Sequence, residues 1–122
     1  MKFKTVILED NLIAKITLEN YCNNYPEIEF LESFETVQEA IIFVKKNTVD
    51  LVFLDIELKD DLGWELLSHI HDNTIVIVTT SQEKYLEESR KYDKISQFLL
   101  KPIFLDTFLM AMSKVNTPQD RP

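Results

Sequence analysis

Five short apolar runs recur along the chain, and between them lie segments whose apolar residues repeat every three or four positions. That alternation constrains the fold more than any composition does, because each strand–helix unit feeds the next parallel strand through a right-handed crossover. The runs are Lys4 to Leu8, Ile28 to Leu31, Asp50 to Asp55, Ile75 to Val78 and Ile95 to Leu100. Helical spacing is read over Asn11 to Tyr21 (Leu12, Ile13, Ile16, Leu18), Thr36 to Lys46 (Val37, Ala40, Ile41, Val44), Trp64 to His71 and Ile103 to Val115 (Phe104, Phe108, Met112, Val115 on one side). Glu83 to Tyr92 also reads as a helix, strongly charged and with a thin apolar stripe. Asn23-Asn24-Tyr25-Pro26 is a turn, and Asn73 breaks the third helix. The pattern predicts an α/β domain, doubly wound, with a central five-stranded parallel sheet and helices on both faces. The near-continuous run into Asp55 suits a strand covered on both sides.

With 122 residues and 45% apolar content there is room for one core and one domain, read as residues 1–116 with a loose polar tail over 117–122. No apolar run approaches the roughly 20 residues that span a bilayer, and Met1-Lys2-Phe3-Lys4 leads straight into a strand rather than a signal peptide, so a cytoplasmic protein without membrane contact is expected. Cys22 is the only cysteine, which excludes an internal disulfide or a cysteine metal cluster. A net charge of −8 with only two arginines argues against direct nucleic-acid binding, which draws on clustered cations. The paired His69 and His71 stand two apart on a helix and so face apart, which is poor metal geometry.

Chemistry is expected where strands end. The first run delivers Glu9-Asp10, the third Asp55, the fourth Thr79-Thr80-Ser81 and the fifth Lys101-Pro102. In an open parallel sheet these ends share one edge, the edge where ligands bind. Three neighbouring carboxylates repel one another, and a hard divalent cation, Mg2+ or Mn2+, would let all of them stay ionised. An amine from Lys101 and a hydroxyl from Thr80 could then contact a phosphoryl group whose remaining oxygen binds the metal, with Asp55 as the nucleophile. Each residue alone has a plainer reading. Asp55 could be a solvated strand end like Asp50, Glu9-Asp10 could serve the helix that begins near Asn11, Lys101 could be a surface lysine, and Phe98 could be ordinary core.

Taken together, Glu9-Asp10, Asp55 with Gly63 eight residues on, Thr80 and Lys101-Pro102, in that order over five strand–helix units, resemble the receiver domain of two-component response regulators, from Lys4 to about Val115. The resemblance implies a flavodoxin-like (βα)5 domain that accepts a phosphoryl group on Asp55 from a sensor histidine kinase or phosphotransfer protein. It implies Mg2+ held directly by Asp10 and Asp55, by Glu9 largely through water and by the Glu57 main-chain carbonyl. Lys101 would pair with phosphoryl oxygens, Thr80 would move toward them, and the Phe98 ring would turn inward behind it. The output surface would be the fourth helix, fifth strand and fifth helix, roughly residues 83 to 115, acting on a downstream protein or output domain or by pairing two copies. Such a protein is not a metabolic enzyme; it catalyses only its own phosphorylation and dephosphorylation.

Phe53-Leu54-Asp55-Ile56-Glu57-Leu58 and Phe98-Leu99-Leu100-Lys101-Pro102-Ile103 are similar to receivers that precede LytTR-type DNA-binding domains. Lys59 departs from the pattern, standing where many receivers have proline, which suggests a looser loop. The stretch Lys94-Ile95-Ser96-Gln97 also replaces a small glycine-bearing turn. Spacing to Lys101 admits Thr79 as well as Thr80 as the switch hydroxyl, with Thr80 preferred. Among other classes, an aspartyl phosphatase would need aspartate at position 57, where Glu57 stands. Flavin binding would need a phosphate loop where Glu9-Asp10-Asn11 would repel phosphate. A receiver-like module that binds partners without phosphorylation is the remaining alternative.

Overall fold

The computed structural model describes residues 2–59 and 62–115. Five strands, β1 (Phe3–Leu8), β2 (Ile28–Phe34), β3 (Leu51–Asp55), β4 (Ile75–Thr80) and β5 (Ile95–Leu100), form one parallel sheet in the order β2-β1-β3-β4-β5. The helices are α1 (Leu12–Asn23), α2 (Val37–Lys46), α3 (Leu86–Ser89) and α4 (Leu105–Ser113), and a 3-10 helix over Gly63–His69 makes the third crossover. The strand order reverses between β1 and β3, and a crevice opens there at the carboxyl ends.

Alternation along the strands divides the core. On one face Val6, Leu8, Val52, Leu54, Val76 and Val78 pack against Val37, Ala40 and Ile41 of α2 and Leu66 and Leu67 of the 3-10 helix. On the other, Ile7, Leu51, Phe53 and Ile77 meet Leu18 and Cys22 of α1 and Phe108, Ala111 and Met112 of α4. Phe108 centres that layer, 5.2 Å from the Tyr21 ring and 5.7 Å from Phe53.

Several elements differ from the sequence reading. The second strand runs on to Phe34, with a register shift opposite Thr5 and Val6 that lets the longer edge strand follow β1. The third helix is 3-10 rather than α and stops at His69, short of Asn73. The predicted helix over 83–92 shrinks to a 3-10 turn, Glu83–Tyr85, and the single turn of α3, which buries only Ser89. So few apolar anchors do not sustain a longer helix. On α1, Leu12, Ile13 and Ile16 are exposed; the sheet-facing positions are Leu18 and Cys22, one turn apart. Phe104 precedes α4 as an extended cap residue and is exposed, leaving Phe108, Ala111 and Met112 as the buried stripe. The tail expected over 117–122, and Asp60 and Asp61 before Gly63, lie outside the described residues.

Candidate metal and phosphoacceptor site

Glu9 and Asp10 follow β1 directly and Asp55 is the last residue of β3, so the switch point itself carries the three carboxylates. One oxygen from each lies within 4.8 Å of the others. Glu9 is fully buried, Asp55 is 3% exposed and Asp10 is half-buried. Lys101, just past β5, reaches back across β4 to place Nζ 2.6 Å from Glu9 Oε1 and 3.0 Å from Asp55 Oδ2. Its main-chain N–H donates to the Thr80 carbonyl (2.8 Å), which ties the end of β5 to the end of β4.

Each carboxylate also takes one main-chain N–H. Asn11 donates to Glu9 Oε2 (3.1 Å), Glu57 to Asp55 Oδ1 (3.2 Å) and Lys59 to Asp10 Oδ2 (2.7 Å). The Asn11 side chain meanwhile accepts from the Ala14 N–H and caps α1. Gly63 closes the loop after β3: its N–H donates to the Ile56 carbonyl (2.8 Å), and a Cβ there would fall 2.4 Å from the Asp55 carbonyl oxygen. Only glycine lets the backbone come that close.

Glu9 and Asp55 share one ammonium, and Asp55 shows the effect of its surroundings. Burial and the neighbouring Glu9 charge push its carboxyl up to about 7, although Lys101 pulls the other way. For Lys101 burial works against the ammonium, but hydrogen bonds and charge from Glu9 and Asp55 outweigh it and hold its pKa above the usual value. A cavity of about 530 Å3 opens over these groups, with Glu57, Ser81 and Lys101 on its polar side and Ile13, Ala14 and Pro102 on its apolar side.

The structure thus brings Glu9, Asp10, Asp55 and Lys101 together, with Glu57 lining the same cavity. Thr80 is buried at the end of β4, its Oγ1 accepting from the Gln82 N–H (3.1 Å). Val78 pairs in register with Phe98, so Thr80, two residues on, lies on the Phe98 face of the sheet, where Phe98 packs half-buried against the core. Thr79 pairs with Asp55, and its buried Oγ1 has no hydrogen-bond partner among the described residues. Sequence reasoning missed the main-chain donors Asn11 and Lys59, since a backbone N–H leaves no trace in residue type. The Lys59 main-chain N–H, at the position where many receivers have proline, is hydrogen-bonded to Asp10.

The response regulator receiver domain family matches residues 5–113. This chain is a member of that family. Among its relatives are the sensory transduction proteins LytT of Bacillus anthracis, 25% identical over 91% of this chain and 46% of that protein, and LytR of Staphylococcus epidermidis, 28% identical over 97% and 48%. The chain therefore spans about half the length of the curated relatives it matches. Among solved structures, the response regulatory domain of MrkE from Klebsiella pneumoniae superposes with a TM-score of 0.82 at 24% identity, covering 91% of this chain and 93% of that one. The REC domain of AraT from Geobacillus stearothermophilus gives 0.83 at 22%, covering 93% and 92%. At those identities the structural likeness speaks for the fold, and the β2-β1-β3-β4-β5 order is the flavodoxin-like arrangement anticipated from sequence. No helix among the described residues is long and apolar enough to cross a membrane.

Proposed function

We propose that this receiver domain is a phosphorylation switch whose phosphoacceptor is Asp55. The observation that carries the reading is the buried Asp55 carboxylate held among Glu9 and Asp10 with Lys101 Nζ 3.0 Å away. Burial, with the neighbouring Glu9 charge, raises the Asp55 pKa, and three clustered carboxylates fit a divalent cation, with Glu9, Asp10, Asp55 and the Glu57 carbonyl as the group that would hold it. Mg2+ there, or Mn2+, would neutralise the carboxylates and polarise a phosphoryl oxygen. An Asp55 oxygen attacks phosphorus, the P–N bond of a phosphohistidine donor breaks, and the imidazole leaves with the bonding pair. Lys101 meets the charge on the transferred group. Thr80 and Phe98, on one face of β4 and β5, carry the change outward to β5, α3 and α4, the fourth and fifth helices of the sequence reading. The donor is a sensor histidine kinase or phosphotransfer protein, and the receiver of the signal is a downstream protein, an output domain or a second copy. The setting is the cytoplasm, and the chemistry is limited to gain and hydrolysis of the protein's own phosphoryl group.

Intact-protein mass after incubation with Mg2+ and a small-molecule phosphodonor tests this. One labile phosphoryl group is expected on the wild type and none on Asp55→Asn or on a chelated sample. Addition to Asp55→Asn would refute the assignment, and no addition anywhere would favour a phosphorylation-independent interaction module.

A further inference from the structure

The loop after β3 does more than connect. Its amides at positions 57 and 59 point to the site from alternate residues and reach two different strands: Glu57 N–H donates to Asp55 at the end of β3, and Lys59 N–H donates to Asp10 beyond β1. Its described residues are tied together by the Gly63–Ile56 hydrogen bond, by an antiparallel bridge between Glu57 and Leu62, and by the close approach of Gly63 to the Asp55 carbonyl. Asp10 depends on this donor more than its neighbours do. Lys101 serves Glu9 and Asp55, whereas Asp10 is half-buried and makes no ion pair among the described residues.

Resting on the phosphoacceptor reading above, we infer that the Lys59 main-chain N–H is a positioning donor for the divalent cation, holding Asp10 Oδ2 so that the other Asp10 oxygen is presented to the metal. The Lys59 side chain is exposed and is not needed for this; the N–H is. Proline, which the family resemblance leads one to expect here, has no N–H to give. A hydrogen bond contributes on the order of 1 kcal/mol net and one to a charged group somewhat more, so its loss is a change of about fivefold or more in a dissociation constant. Mg2+ and Mn2+, which demand stricter geometry than Ca2+, gain most from a ligand fixed in advance.

The test is Mn2+ titration followed by electron paramagnetic resonance, with Mg2+ and Ca2+ in competition, on the full chain. Three variants are compared with wild type: Lys59→Ala, which keeps the N–H; Lys59→Pro, which loses it; and the α-hydroxy-acid analogue of Lys59, which replaces the N–H by an ester oxygen without a proline ring. The ester and Lys59→Pro should both bind Mn2+ about fivefold more weakly and lose preference for Mg2+ over Ca2+, while Lys59→Ala stays within about twofold of wild type. An ester analogue that binds like wild type, or Lys59→Ala falling as far as the ester, overturns the inference while leaving the phosphoacceptor reading intact. Absence of saturable Mn2+ binding by the wild type itself would remove both.

Discussion

The two ends of the sheet use the same residue types to opposite effect. Asp50 and Asp55 flank β3, and Lys94 and Lys101 flank β5. At the amino end both groups have partners among the described residues. The Asp50 carboxylate accepts the Lys4 N–H (2.9 Å), while Lys94 donates to the carbonyls of Leu67 (3.1 Å) and Ile70 (2.9 Å) at the end of the 3-10 helix. At the carboxyl end Glu9 and Asp55 share one lysine with Asp10 beside them, and burial together with the Glu9 charge pushes the Asp55 carboxyl up to about 7. One end is built for stability; the other carries an excess of negative charge that a divalent cation would relieve.

Exchanging the two aspartates gives the largest contrast. Asp55→Asn should lose phosphoryl addition completely, whereas Asp50→Asn should keep it at a wild-type level by intact mass; equal loss in both would erase the distinction between the ends. The lysines come next. Lys101→Ala leaves the buried Glu9 carboxylate without a counter-charge and should cost roughly 3–5 kcal/mol in denaturant unfolding with chelator present. Lys94→Ala removes the donor to two part-buried carbonyls, together with an ion pair to exposed Asp72, and should cost about 1–3 kcal/mol.

pH sharpens the comparison further. Because the Asp55 pKa lies above its ordinary value, the folded chain holds a proton that the unfolded chain has already released. The stability due to that proton is present below the unfolded value near 4 and is lost as pH rises through about 7. In metal-free buffer Asp55→Asn should therefore be more stable than wild type at pH 8, with the gap closing toward pH 4. Added Mg2+ should stabilise the wild type and not the variant. The smallest effect belongs to Ile13→Ala, at an exposed site on the cavity wall, which should change unfolding free energy by less than about 0.5 kcal/mol.

The sheet and its edge were legible because buried parallel strands are continuous apolar runs and their last residues are fixed by strand length. Asp55 and Lys101 could be placed from Leu51-Val52-Phe53-Leu54 and Phe98-Leu99-Leu100 alone. The helices were less so. Leu12, Ile13 and Ile16 have helical spacing yet face outward, because the stripe that meets the sheet is Leu18 and Cys22 with the half-buried Ala14 and Tyr21. Period identifies a helix; only packing chooses its inner face. The shortness of α3 was foreshadowed by its charge but not its degree. The amide donors of Asn11, Glu57 and Lys59 were out of reach, since they depend on loop path and not on side chains.

Trp64, the sole tryptophan, stacks on Tyr92 at 5.2 Å and 15° and meets Tyr85 edge-on at 6.2 Å. These two tyrosines bracket α3, so the indole is in contact with both ends of the segment that lies between Thr80 and β5. Any repositioning of that segment must alter the ring's surroundings, and its emission becomes an optical gauge of such a movement that needs no added label.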